Sequence, residues 1–160
     1  LVMGEEAIEK GVKESMPDVK GTNPVTAARA ALAALGVRHI ALLTPYLANI
    51  NHSLRASLIE RGMDIPVMGS FNEPDDNLVA RIRPDSIERA ILEVGASADC
   101  DAVFVSCTSL RVARIVEQVE RKLGKPVTSS NHALAWHMLR LSGVNDPIEG
   151  LGELFRKPLA

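Results

Sequence analysis

DAVFVSCTSLRVARIV, residues 101–116, is the stretch on which the fold turns. Residues 101–106 are nearly continuously apolar, as expected of a parallel strand covered on both faces. The run stops at Cys107, Thr108 and Ser109 follow, and Leu110, Ala113, Val116 and Leu123 then recur at helical spacing as far as Gly124. The stretch reads as a strand that delivers a thiol to the N-terminus of a helix, where unpaired N–H groups would favour the thiolate. Cys107 is therefore either a small packed residue or a reactive thiol, and placement alone leaves both open.

Working outward, the same alternation repeats. Ile8, Val12 and Met16 make a helical stripe that Pro17 ends, and residues 18–24 follow as a short strand or loop. Asn23 before Pro24 is a helix start, Val25, Ala28, Leu32 and Leu35 line one face, and Gly36 stops it. Residues 37–46 form a strand, and Leu47, Ile50, Leu54 and Leu58 form a helical face closed by Gly62. Residues 65–72 are a strand running into a loop, and Pro84 and Asp85 open a helix carrying Ile87, Ile91 and Val94. Residues 125–131 give a short strand and turn, residues 132–143 a last helix, and the Gly- and Pro-rich tail reads as loop. Strands alternating with helices imply βα units: an α/β fold with a Rossmann-like parallel sheet and helices on both faces.

The chain has 160 residues, 24% of them charged, and a net charge of −2, which argues against a dedicated nucleic-acid surface. Aromatic residues make up 3%, too few for a base-stacking platform. No apolar stretch approaches the length of a membrane span, and no signal peptide is evident, so a cytoplasmic location is expected. Cys100 and Cys107 would be about 23 Å apart along a strand, too far for a disulfide, and are expected to be free thiols. Without a Walker loop, GxGxxG or Cys/His metal spacing, nucleotide and zinc chemistry lack a motif.

In parallel α/β sheets ligands bind outside the carboxyl ends of the strands. Those ends carry residues 44–46, 70–72, 106–109 and 128–131, which supply a thiol, a phenol, carboxamides and hydroxyls suited to a small carboxylate. Cys107 is the candidate nucleophile or acid/base. Tyr46 is either a binding phenol or a cap on the core, Asn72 a binding group or a turn residue, and Thr108 and Ser109 anion binders or helix caps. Cys100 and the four histidines read as structural or surface groups, and Asp75 and Asp76 as a helix start.

VFVSCTSLR (103–111), LLTPY (42–46), VMGSFNE (67–73) and GKPVTSSNHALAWHMLRLSG (124–143) together resemble the Asp/Glu racemase superfamily. The branch is that of maleate cis-trans isomerases and arylmalonate decarboxylases, and the chain is most similar to the ectoine-utilisation proteins within it. The resemblance implies a two-lobe, pseudo-symmetric fold with a cofactor-free active site between the lobes and one cysteine from each. It makes Cys107 the second-lobe acid or base, Tyr46 and Asn72 holders of substrate carboxylates, and Thr108 and Ser109 the adjoining cradle. It places the first-lobe cysteine ahead of Leu1. Residues 1–36 are then the remnant of the first lobe and a connecting helix, 37–130 the second lobe, and 131–160 a helix and tail returning towards the first. The implied activity is isomerisation or racemisation of a small dicarboxylate or amino-acid derivative, with a role in ectoine catabolism. A malonate-type decarboxylase using Cys107 alone and a non-catalytic carboxylate-binding module are the rivals. The expected partners are a small carboxylate and further copies of the chain, not nucleic acid or membrane.

Overall fold

A computed structural model describes residues 5–160, with side chains from Lys10 onward. Four parallel strands, β1 (His39–Thr44), β2 (Asp64–Ser70), β3 (Ala102–Val105) and β4 (Val127–Ser129), are ordered β2-β1-β3-β4. The chain first steps from β1 outward to β2, then crosses back to place β3 on the other side. The strand order therefore reverses between β1 and β3, where a crevice opens at the carboxyl ends. β2 is an edge strand with Pro66 inside it; its missing N–H falls where the pairing with β1 slips by one residue.

Helices cover both faces, and this explains the unalternating strands. Ile40, Leu42, Ala102 and Phe104 pack with Ala28 and Leu32 of α2 (Pro24–Leu35) and Leu54 and Leu58 of α3 (Ala48–Glu60). Ala41, Leu43, Val103 and Val105 point the other way, towards Ile87 and Ile91 of α5 (Pro84–Gly95) and Val116 and Val119 of α6 (Val116–Leu123). A one-turn helix α4 (Asp76–Val79) is capped by Asp75, whose carboxylate accepts the Asn77 N–H. Asn23 caps α2 by accepting the N–H groups of Val25 and Thr26, and Gly36 ends it at φ 70°, a conformation that suits a residue without Cβ. The stripe on α1 (Glu5–Ser15) is only partly testable: Ile8 and residues 1–4 lie outside the described side chains, and Val12 and Met16 are exposed. Residues 16–23 form no strand. Among the described residues no helix is long and apolar enough to cross a membrane.

Two expectations fail. The helix after Cys107 does not begin there: residues 107–115 are irregular, and α6 starts only at Val116. Leu110 and Val112 are buried on either side of exposed Arg111, the Val112 N–H donates to the Leu110 carbonyl at 3.2 Å, and Arg111 donates to the Ile82 carbonyl at 3.3 Å. The tail is also more than loop. It forms a 3-10 turn (Glu153–Arg156) whose Leu154 and Phe155 pack with Ala27, Ala31, Ala133 and Trp136 between α2 and α7 (Ser130–Leu141). Glu120 of α6 holds this arrangement, accepting the N–H groups of Val127 and Glu153, both at 2.8 Å.

His132 of α7 joins the tail to the sheet. A carbonyl can only accept, so Nε2 carries the proton that it donates to Leu151 O at 2.8 Å, and Nδ1 accepts the Thr128 hydroxyl at 3.0 Å. Burial lowers its pKa from 6.5 to about 4, and burial also lowers that of His137. The unfolded chain then takes up the proton first as pH falls below 6.5, so stability is present above that value and lost towards about pH 4. Denaturant unfolding should show a loss of roughly 2 kcal/mol between pH 7 and pH 5, above the range where most carboxylates titrate. The slope should flatten in His132→Phe; an equal slope in that variant would refute the assignment.

Candidate active site

The crevice between β1 and β3 is where the chemistry-bearing residues meet. β1 ends at Thr44 and β3 at Val105, so Tyr46 and Cys107 both stand two residues beyond their strands, on neighbouring strands. Tyr46 and Cys107 line the same cleft. Burial, then the neighbouring Cys107, with a smaller push from Asp76, hold the phenol well above its ordinary range. Tyr46 therefore keeps its proton at neutral pH and serves as a donor. The Ser109 N–H reaches Cys107 Sγ, at 3.3 Å. A backbone donor on the sulfur, with the Tyr46 phenol in the same cleft, complements negative charge there.

A cleft of about 460 Å³ opens onto this pair. At the sulfur end it is lined by Tyr46, Ser106, Cys107, Thr108 and Ser130; Val25, Ala28, Ile50, Leu54, Leu58 and Phe104 form an apolar wall between α2 and α3. The helix starts that line the cleft with Cys107 belong to α2 (Pro24, Val25) and α7 (Ser130), not to α6 as the sequence suggested. Clefts of about 480 and 520 Å³ elsewhere are lined by arginines near Gly36 and by charged residues near Glu153, and neither contains a thiol.

Of the residues singled out in the sequence, Cys107, Tyr46 and Thr108 line the cleft. Ser109 is half-buried behind it with its N–H committed to Cys107. Asn72 is exposed in a left-handed turn at φ 53° and donates its N–H to Ser70 Oγ at 3.1 Å. Asn131 Nδ2 donates to Thr108 O at 2.5 Å, tying the loop after β3 to the start of α7. Cys100 is a buried free thiol at the far end of β3, among the carbonyls of Val94, Gly95 and Ser97. Sequence reasoning missed Asn51, which is buried and donates to the Tyr46 carbonyl. Its signal was a polar residue at helical spacing from Leu47 and Leu54, on the face read as apolar. Among the described residues no cluster of His, Cys, Asp or Glu could hold a metal.

A family model described as arylmalonate decarboxylase matches residues 5–155. The chain belongs to the arylmalonate decarboxylase family. It is 33% identical over 136 residues to the arylmalonate decarboxylase of Bordetella bronchiseptica, covering 84% of this chain and 57% of that protein. It is 29% identical over 130 residues to a maleate isomerase of Nocardia farcinica, covering 81% of this chain and 51% of that one. A crystal structure of arylmalonate decarboxylase superposes with a TM-score of 0.82 at 31% identity, over 94% of this chain and 66% of the other. The Nocardia farcinica maleate cis-trans isomerase bound to TRIS gives 0.85 at 26% identity, over 94% and 63%. The chain spans between half and three-fifths of the length of these curated relatives. The fold expected from the strand pattern is thus shared by decarboxylase and isomerase members of the family.

Proposed function

We propose that the protein performs cofactor-independent chemistry in which Cys107 moves a proton to or from the carbon beside a substrate carboxylate. The observation that supports it is the placement of Tyr46 and Cys107 together in one cleft at the strand-order reversal. A carboxylate held by the Tyr46 phenol and the Thr108 segment places its α-carbon against Sγ. Asn72 and Ser109 supply further donors from the adjoining turns. Charge that develops on the carboxylate as an enediolate is met by these donors, which strengthens each interaction in the transition state.

In the isomerase or racemase form, the substrate is a small dicarboxylate or amino-acid derivative, with a place in ectoine breakdown. A second thiol from a first lobe then works on the opposite face. For isomerisation, that thiolate adds to the double bond while Cys107 protonates the neighbouring carbon; rotation about the new single bond and reversal of both steps give the other isomer. For racemisation, one thiol takes the α-proton and the other returns one.

The apolar wall favours a second form, malonate-type decarboxylation, as do the family and the 33% identity to a decarboxylase. The bond to one carboxylate breaks, carbon dioxide leaves with its electrons remaining as the enediolate, and Cys107 S–H protonates the α-carbon. The thiolate then recovers a proton from water. A site that excludes water favours loss of a desolvated carboxylate.

The forms separate in deuterated water. Full-length protein is incubated with maleate, aspartate, glutamate, ectoine breakdown products and α-substituted malonates, and products are followed by NMR. Isomerisation gives fumarate, racemisation an α-deuterated amino acid of lost optical activity, and decarboxylation an α-deuterated monoacid with carbon dioxide. A protein that yields none of these from any substrate refutes the proposal.

A further inference from the structure

Asn51 is the polar member of the buried face of α3, beside Leu54 and Leu58. A leucine there would gain apolar burial, whereas a buried carboxamide costs free energy unless it is hydrogen-bonded. Both its ends are used. Oδ1 accepts the Thr44 hydroxyl at 2.5 Å, and Nδ2 donates to the Tyr46 carbonyl at 2.7 Å. Ser70 Oγ donates to the same carbonyl at 2.5 Å, so both lone pairs of that oxygen are occupied. The Tyr46 N–H donates to Thr44 Oγ1 at 3.3 Å.

Tyr46 itself belongs to no regular element: it lies between the end of β1 and the start of α3 at Ala48. No ladder fixes its backbone. The three polar side chains, from β1, α3 and β2, close on the peptide groups at its two ends instead. Neighbouring backbone bonds, from Phe71 N to Thr44 O and from Glu73 N to Pro45 O, tie the same two loops together. With its backbone held, a tyrosine has only two torsions left. The direction of the phenol then follows from the network.

We propose that Asn51 is a positioning residue that aims the Tyr46 phenol at Cys107 by holding the Tyr46 carbonyl. Its consequence for turnover rests on the reading of Cys107 as the reacting group; its geometric content does not.

Tyr46 is the single tyrosine of the chain, so ultraviolet absorbance reads its ionisation without interference from another phenol. In the native protein burial, with Cys107 beside it, holds its ionisation above the usual value of about 10. Asn51→Leu, checked for folding by circular dichroism and by the fluorescence of Trp136, should bring the midpoint down towards that usual value. It should also lower kcat about 10²-fold, the scale of a misplaced catalytic group, with KM changed far less. Thr44→Val keeps the shape but removes the hydroxyl that bonds Asn51 and the Tyr46 N–H; it should shift the midpoint the same way and decides the matter if Asn51→Leu does not fold. A folded variant with an unmoved Tyr46 midpoint overturns the proposal, whatever its turnover. A midpoint that moves in a protein inactive in every form supports the positioning role and counts against the reading of Cys107.

Discussion

Cys107→Ser is expected to lower kcat about 10³-fold while leaving the binding of a product-like monocarboxylate within about threefold of the native protein. Cys107 is 4% exposed, and the Ser109 N–H that donates to it, like the Tyr46 phenol in the same cleft, can be met by a serine oxygen. Shape and hydrogen bonding are therefore nearly kept. What is lost is a group that exchanges a proton near neutral pH, because an alcohol gives up its proton far less readily than a thiol. The expected pattern is a fall in kcat with little change in Kd, measured by steady-state turnover and by calorimetry. Cys107→Ala should fall at least as far, since it also leaves the Ser109 N–H without its acceptor. Turnover in Cys107→Ser above about a tenth of native would mean that another group carries the proton.

The location of this thiol was legible from one line of sequence, but its surroundings were not. Residues 102–105 are apolar at every position because helices cover both faces, and that pattern fixes the strand and therefore its carboxyl end. The segment that follows misled. Leu110, Ala113 and Val116 fit a helical period, yet Val112 buries as fully as Leu110 and Val116, and a period-two pair inside a period-3.6 series is ambiguous over so few residues. Only packing against the Ile82 loop decides between them. The helix starts that share the cleft with Cys107 come from α2 and α7, brought there by chain crossing and not by local spacing.

Asn51 and the tail show the same limit. A polar residue on an apolar helical face is a visible irregularity, but its partners, Thr44 and Tyr46, became apparent only once β1 and α3 were placed together. In the tail, Leu154 and Phe155 are adjacent apolar residues between charged ones, with no period to read. They bury because α2 and α7 present alanines and Trp136, leaving room that larger side chains would fill.

Arg140→Met is expected to destabilise the fold by about 3 to 5 kcal/mol in urea unfolding, the scale seen when a buried charged group is removed from its partners. The guanidinium is 4% exposed on the last turn of α7 and faces carbonyls throughout. Nε donates to Lys157 O at 2.9 Å, one terminal nitrogen to Val144 O at 2.7 Å and the other to Phe155 O at 2.8 Å. Trp136 Nε1 donates to the same Lys157 carbonyl at 3.0 Å. The negative end of the α7 dipole adds to the field of these oxygens and favours the cation. Methionine fills most of the volume but leaves the Val144 carbonyl without a donor, at about 1 to 3 kcal/mol if it stays dry, and the Phe155 carbonyl with only the Ile148 N–H at 3.3 Å. Arg140→Lys should recover only part of the loss, because a point charge cannot serve carbonyls that the planar fork reaches in three directions. The effect should reach the active site too. α7 begins at Ser130 on the cleft and ends at Arg140 on the tail, so a tail released from Arg140 loosens the packing that seats Ser130 in the cleft with Cys107. A loss below about 1 kcal/mol in Arg140→Met would show that water replaces the guanidinium and that the tail is not held by it.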